Sequence, residues 1–306
     1  MELKIIVTAK QVPDTHNISG QAMKEDGTVN RAALPAIFNP EDLNALEMAI
    51  SLKERFDAQV TVVCMGPPRA ADILRESLYR GADRVVLVTD RAFAGADTLA
   101  TSYTLAQAVK KVGGADLVLC GRQAIDGDTA QVGPQLAEKV PMNQITYVEE
   151  VVNIQKRRIT LRRSLGRSSE VLEAGLPLLL TVTASANQPR SFGAKYLMKF
   201  KKAKTRIEVE EAVKAATPGE NYAADWVTSE VDKKCAELSA KGLLIETWTA
   251  ADLKCTPESI GLAGSPTKVK KIENVVLAAR DIKKIAPTEA AIKEFMQELI
   301  QEKTFV

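Results

Sequence analysis

Short apolar runs alternate with amphipathic stretches over the first 140 residues of the chain. Continuous apolar runs, typical of strands buried on both faces, occur at 3–9, 59–65, 84–88 and 116–120. The stretches that follow them repeat apolar residues at helical spacing. They predict helices at 41–55, 70–79, 97–112 and 129–139. This βαβαβαβα order predicts an α/β fold with a doubly wound, mainly parallel sheet of the Rossmann-like kind.

Capping residues support the predicted helix starts. Asn39 is expected to cap the first helix, with Pro40 at its first position. Asp97 is expected to cap the third helix. For the fourth helix, either Asp128 or Thr129 can serve as the cap.

The pattern changes after residue 140. Segments 144–152 and 158–163 predict a β-hairpin, and 178–183 predicts another buried strand. A turn at 187–190 then leads into a basic stretch, which is either a solvated face or a docking surface. Its cations are Lys195, Lys199, Lys201, Lys202, Lys204 and Arg206.

The C-terminal third is polar and weakly periodic until an amphipathic helix at 287–300. One face of that helix carries Ile292, Phe295, Met296 and Leu299, and it packs either on the parent domain or on a partner subunit. We therefore expect two parts: residues 1–205 form an α/β domain, and 206–306 form an extension.

Composition narrows the possible functions. The chain has 306 residues, 45% of them hydrophobic and 26% charged, with a formal net charge of +2, which predicts no affinity for nucleic acid. The longest apolar stretch, 176–184, is too short to cross a bilayer, and 1–9 predicts a strand instead of a secretory signal. Four cysteines without Cys-x-x-Cys spacing predict reduced core thiols and a cytoplasmic protein. His16 is the only histidine, which disfavours histidine metal sites and a Ser-His-Asp triad.

The strongest candidate site is the segment GRQAIDGDTAQVG at 121–133, between a buried strand and a helix. Free N–H groups at a helix start can hold a phosphate, and Gly121 and Gly127 would let backbone approach a nucleotide. If the first and fourth strands flank the point where strand order reverses, Ala9 and Lys10 face this loop across one crevice. No Gly-x-Gly-x-x-Gly or P-loop follows the first strand, and the segment is equally compatible with an ordinary capped turn.

Several short motifs, in order along the chain, resemble the beta subunit of electron-transfer flavoproteins. Each motif is weak alone, but the ordered set is specific to the family. The motifs are VTAKQVPD at 7–14, NP at 39–40, MGP at 65–67, GAD at 81–83, GRQAID at 121–126, NQPR at 187–190 and GLAGSPTKVKK at 261–271.

The resemblance implies an adenine-nucleotide-binding fold and a heterodimer with an alpha subunit that holds FAD. The beta subunit of respiratory members binds AMP, whereas in electron-bifurcating members it binds a second FAD that accepts hydride from NADH. The segments FAGADTLAT at 93–101 and GDTAQVG at 127–133 resemble the bifurcating branch. We therefore expect FAD, with AMP as the alternative. The electron chemistry belongs to the cofactor, so no catalytic side chain is expected.

The same resemblance implies the residues that line the nucleotide. No metal ligands are expected among them. They are Ala9, Asn39, Met65, Asp97, Thr98, Thr101, Cys120, Gly121, Arg122, Gln123, Asp126, Gly127, Asp128, Thr129, Ala130, Gln131 and Val132.

The resemblance also predicts partners. The C-terminal extension would pack on the alpha subunit, and an exposed recognition loop near 187–204 would contact a flavin-containing dehydrogenase. Ala194 stands where many members have an anchoring leucine, so Phe192, Tyr196 or Leu197 would replace it and the partner need not be a typical acyl-CoA dehydrogenase. More distant alternatives are an ATP-using enzyme, disfavoured by the missing Ser-Gly-Gly-x-Asp-Ser loop, and a regulatory adenine-nucleotide-binding module.

Overall fold

The computed structural model describes residues 3–14, 35–216, 224–267 and 284–302. The chain forms two compact units, Met1–Lys268 and Val269–Val306, and each is described separately. His16 lies outside the described residues.

A ten-stranded sheet organises the first unit, in the order β11-β12-β5-β4-β1-β6-β10-β7-β8-β9. Neighbouring strands are parallel from β11 to β7, and β7, β8 and β9 are antiparallel. A separate antiparallel pair joins β2 to β3. The bounds are β1 (Leu3–Ala9), β2 (Gln11–Pro13), β3 (Ala36–Phe38), β4 (Ala58–Met65), β5 (Arg84–Val88), β6 (Leu117–Gly121), β7 (Asn143–Gln155), β8 (Arg158–Ser164), β9 (Ser169–Gly175), β10 (Leu178–Val182), β11 (Lys204–Thr205) and β12 (Leu244–Trp248).

Helices cover both faces of the central strands. One apolar cluster joins α1 and α2 to the sheet, and a second joins α3 and α4 to the opposite face. The predicted doubly wound α/β fold is therefore confirmed. The helices are α1 (Pro40–Phe56), α2 (Ala71–Arg80), α3 (Thr98–Val112), α4 (Val132–Lys139), α5 (Ala194–Phe200), α6 (Arg206–Ala215), α7 (Ala224–Ala240) and α8 (Glu289–Gln301).

Residues beyond 200 differ most from the sequence-based expectation. The polar stretch 207–266 contains α6, α7 and β12, and β12 pairs with β5 to widen the central sheet. Thr205 and Glu208 form a reciprocal capping box at the start of α6, and a small apolar cluster joins α6 to α7. Residues 206–267 therefore lie in the same compact unit as the predicted α/β domain.

The second unit contains α8, whose start is capped by the Thr288 hydroxyl. Ile292, Met296 and Ile300 are exposed along this helix. Across the described parts of the chain, no helix is both long and apolar enough to cross a membrane. The same residues contain no group of acidic, cysteine or histidine side chains arranged to hold a metal ion.

Candidate functional site

A crevice opens where the strand order reverses. β1 pairs with β4 on one side and with β6 on the other. The sheet therefore grows in opposite directions from β1: towards β4 on one side and towards β6 on the other. The predicted position of the reversal, between the first and fourth strands, is confirmed. The cleft has a volume of about 1030 Å³ and follows the carboxyl ends of β6, β1, β4 and β5. Four neighbouring strands at about 4.8 Å spacing make it roughly 14 Å long.

All the predicted nucleotide-lining residues except Asn39 line this cleft. They come from three places: the ends of β1 and β4, the start of α3, and the loop 121–133. Sequence reasoning missed Asp42 and the β5-end residues Thr89, Asp90 and Arg91, which also line it. That these residues bind a nucleotide remains a prediction.

Asn39 supports the 121–133 loop from beneath instead of facing the cleft. Its side chain is fully buried, donates to the Gln123 carbonyl oxygen at 2.9 Å and accepts from the Ile125 N–H at 3.1 Å. Asn39 occupies the N-cap position of α1, as predicted, but its side chain makes no capping hydrogen bond there. A contact between Asn39 and a nucleotide stays a prediction.

Two acidic residues in the first turn of α1 fasten the same loop. Asp42 accepts the Lys10 N–H at 2.9 Å and the Gly121 N–H at 3.0 Å, which joins the end of β1 to the end of β6. Glu41 accepts the Gln123 N–H at 2.8 Å and pairs with the Arg122 guanidinium at 2.9 Å. In the sequence, these contacts are signalled by two acidic residues directly after Asn39 and Pro40.

The Asp42 carboxyl lies in the interior at the base of the cleft. Burial raises its pKa from the ordinary 3.8 to about 7, although hydrogen bonds from Asn39, Gly121 and Lys10 act in the opposite direction. A Cβ at Gly121 would lie 2.5 Å from an Asp42 carboxylate oxygen, so only glycine fits at this contact. Gly127 has open space around it and is not in the left-handed region, so the expectation that its lack of a side chain is needed there has no structural support.

The second half of the loop forms a concave row of N–H groups. Asp128 and Ala130 have φ values of 49° and 52°, and Gln131 then returns to right-handed geometry. Within the described residues, the N–H groups of residues 129–133 donate to no protein acceptor. Alternation between left- and right-handed residues before a helix start produces an anion-binding nest. We call residues 128–133 the nest.

The left-handed residues also explain where α4 begins. Asp128 and Ala130 cannot continue a right-handed helix, so α4 starts at Val132 instead of residue 129. Neither Asp128 nor Thr129 caps α4, because its N-cap is Gln131 and has no side-chain bond. Asp128 instead accepts from the Gln123 amide at 2.9 Å, and Asp126 pairs with Lys10 at 2.7 Å. These two carboxylates are thus occupied by protein donors.

The start of α3 forms the opposite wall. Asp97 caps the helix by accepting the Leu99 and Ala100 N–H groups at 2.9 and 3.0 Å, as predicted. Partial burial alone would raise its pKa, but the hydrogen bonds hold the pKa below its usual value. The Thr98 hydroxyl donates to the Gln131 side chain at 2.9 Å, which joins the starts of α3 and α4.

Comparisons with known proteins agree with this geometry. The family model "Electron transfer flavoprotein domain" matches residues 26–216. A beta subunit of an electron transfer flavoprotein from Clostridium acetobutylicum is 42% identical over 269 residues, covering 88% of this chain and 87% of the relative. The chain belongs to the electron transfer flavoprotein beta-subunit family.

Two other members of the family carry more specific names. Subunit CarD of the caffeyl-CoA reductase-Etf complex of Acetobacterium woodii is 49% identical over 189 residues, covering 61% of this chain and 71% of CarD. Protein FixA of Rhizobium meliloti is 36% identical over 305 residues, covering 97% of this chain and 90% of FixA.

The family's recognition loop, expected here near 187–204 as an exposed arm, is anchored to the helices at its base. Asn187 and Asn44 exchange hydrogen bonds, and Arg190 pairs with Glu47 and Glu54. Hydrogen bonds to Glu54 and Glu47 raise the pKa of the Arg190 guanidinium.

The tip of this segment is the short helix α5. Phe192 packs edge-on against Tyr79, with ring centres 5.4 Å apart, and lies under the Arg80 guanidinium. Leu197 is 36% exposed and Met198 is 64% exposed. Sequence reasoning missed Met198, which is the most exposed apolar side chain of the helix.

Proposed function

We propose that this chain is the beta subunit of a heterodimeric, electron-bifurcating flavoprotein, with FAD in the cleft. The FAD would accept hydride from NADH and pass electrons to the FAD of the alpha subunit and on to a partner dehydrogenase. The observation that carries this proposal is a long cleft with an anion-binding nest at one end and a second helix start beside it. The similarity to CarD, a subunit of a reductase-Etf complex, is consistent with it.

The residues of the cleft suit an extended dinucleotide. The nest offers unpaired N–H groups for phosphate oxygens, and the two adjoining helix starts add a favourable potential. The volume of about 1030 Å³ lies at the upper end of the usual 300–1,000 Å³ range for ligand sites. Bound FAD would supply the hydride and electron chemistry, while the protein binds and orients it.

AMP remains the alternative ligand. A single phosphate on the nest satisfies the same N–H groups, and an adenosine would then extend along the end of β1. This arrangement would leave most of the wall at Phe93 to Thr101 without a ligand contact, which is why we favour FAD. With AMP bound, the chain would be a respiratory-type subunit with a structural nucleotide.

Nucleotide analysis separates these alternatives. We expect the heterodimer, denatured after purification without added nucleotide, to release about two FAD per complex and little AMP. Chromatography with absorbance detection gives both quantities from one sample, and a separately denatured alpha subunit provides the one-FAD control. One FAD and one AMP per complex would refute the FAD assignment and support the respiratory alternative.

We also propose that α5 is the contact for the partner dehydrogenase. Leu197 and Met198 are exposed apolar residues among lysines, a pattern that suits a transient partner because buried anchors supply affinity and charges steer encounter. The exposed stripe of α8 suits a permanent contact with the alpha subunit instead. The assembly is expected to be cytoplasmic.

A double substitution tests the α5 contact. Leu197→Ala with Met198→Ala should slow electron delivery at limiting acceptor concentration by about tenfold or more, because two anchors are removed. Reduction by NADH and subunit assembly should stay unchanged. Leu165→Ala, which truncates a residue 51% exposed in the β8–β9 turn, is the control. If the double variant separates the subunits but still delivers electrons normally, the contact has been assigned to the wrong partner.

A further inference from the structure

The segment 261–267 packs tightly behind one wall of the cleft without lining it. Gly261 has a φ of 53°, and a Cβ there would lie 2.1 Å from the Ala92 carbonyl oxygen. Gly95, with a φ of 73°, lies against the Leu262 side chain, and a Cβ there would lie 2.6 Å from its carbon atoms. The segment therefore meets residues 92–95 through backbone at Gly261 and through a side chain at Leu262, with no room for a Cβ on either glycine.

Ser265 is the polar centre of this contact. It is 4% exposed, its hydroxyl donates to the Gly261 carbonyl oxygen at 2.6 Å and it accepts the Asp97 N–H at 2.8 Å. A second hydrogen bond joins this segment to Asp97, since the Thr267 N–H donates to the Asp97 carboxylate at 3.0 Å. Asp97 is thus held at its backbone and at its side chain by residues about 170 positions later in the chain.

Asp97 connects this contact to the cleft. Its other carboxylate oxygen accepts two N–H groups at the start of α3, and Thr98 beside it is bonded to Gln131 of the nest. The position of Asp97 therefore sets where the wall of residues 93–98 lies relative to the nest. Loss of the Ser265 hydroxyl would leave the part-buried Asp97 N–H without its protein acceptor and loosen that wall.

We propose that Ser265 is a positioning residue of the nucleotide cleft, holding Asp97 and the start of α3 in place for the part of a ligand that extends beyond the nest. This inference rests on the proposed function and adds a residue to its site. It predicts a larger effect on FAD, because FAD would extend along the wall of residues 93–98, whereas AMP on the nest would adjoin that wall only at Thr98.

The test uses the nucleotide-depleted heterodimer carrying Ser265→Ala. We expect the affinity of the beta-subunit site for FAD to fall about tenfold and its affinity for AMP to change less than twofold. Ser259→Ala is the matched control, since Ser259 lies two residues before the segment and its hydroxyl has no hydrogen bond to a described residue. Titration calorimetry with each nucleotide, at fixed salt, gives both affinities.

General destabilisation of the protein would not reproduce this difference between the two affinities, because it would weaken the binding of FAD and of AMP together. Equal losses for both nucleotides, or FAD affinity equal to that of the Ser259→Ala control, would overturn the role of Ser265. A wild-type complex that binds AMP but no second FAD would refute the proposed function instead. Amide hydrogen exchange then decides the positioning role: the Asp97 N–H must exchange faster in Ser265→Ala than in wild type, and unchanged exchange would overturn it.

Discussion

Ala130→Asp is expected to weaken nucleotide binding about a hundredfold, whereas Ala130→Asn leaves most of the affinity. Ala130 lines the cleft inside the nest, where its left-handed backbone suits both asparagine and aspartate. A carboxylate about 6 Å from a phosphate, at an effective dielectric constant near 20, costs about 3 kcal/mol. The two variants share one shape, so their difference isolates charge.

Binding titrations of the two heterodimers at low and high salt provide the measurement. The difference between the aspartate and asparagine variants should shrink as salt rises, because mobile ions screen the added charge. Circular dichroism should show both variants folded. Equal affinity of the two variants at low salt would place the phosphates elsewhere in the cleft.

Removal of the Asp42 charge is expected to change how stability depends on pH. Burial raises the pKa of Asp42 from 3.8 to about 7, so between these values the folded chain binds a proton that the unfolded chain releases. The contribution of Asp42 to the free energy of unfolding is complete below pH 3.8 and is lost as the pH rises toward 7. The free energy of unfolding of the nucleotide-free chain should therefore fall by about 3 kcal/mol between pH 5 and pH 8 through this one group.

Asp42→Asn removes the titration while keeping the size of the side chain. Its amide can accept only one of the two N–H groups that Asp42 accepts, so the variant should be less stable than wild type at pH 5. That deficit should narrow at pH 8, where the wild-type charge is buried. Denaturant unfolding of both full chains at the two pH values tests this, and a deficit that does not depend on pH would show that Asp42 is ionised throughout.

The sequence alone was sufficient for the order of the central strands and helices up to residue 140, but not for the short β2–β3 pair. Apolar runs predicted β1, β4, β5 and β6 within two residues, because strands buried on both faces need continuous apolar residues. Asp97 was recognised as a helix cap because capping is a local interaction. The family followed from short motifs in their order along the chain, and the matches to known proteins confirmed it.

Elements that depend on distant partners were harder to predict. β11 and β12 exist because they extend the edge of the sheet beside β5, and their sequences are too short and too mixed to show a strand period. β9 was missed because polar Glu170 lies on its half-buried face and apolar Val171 on its exposed face, which breaks the alternation of polar and apolar residues that predicts a strand.

Within the site, the family resemblance led to most of the residues that line the cleft, but it missed Asp42 and the residues at the end of β5. The tertiary structure decided how these residues are connected. It showed that the Asn39 side chain supports the loop, that Asp42 links β1 with β6, and that Ser265 reaches Asp97. These hydrogen bonds join residues 32 to 168 positions apart, and only the order of strands in the folded sheet brings such partners within 3 Å of each other.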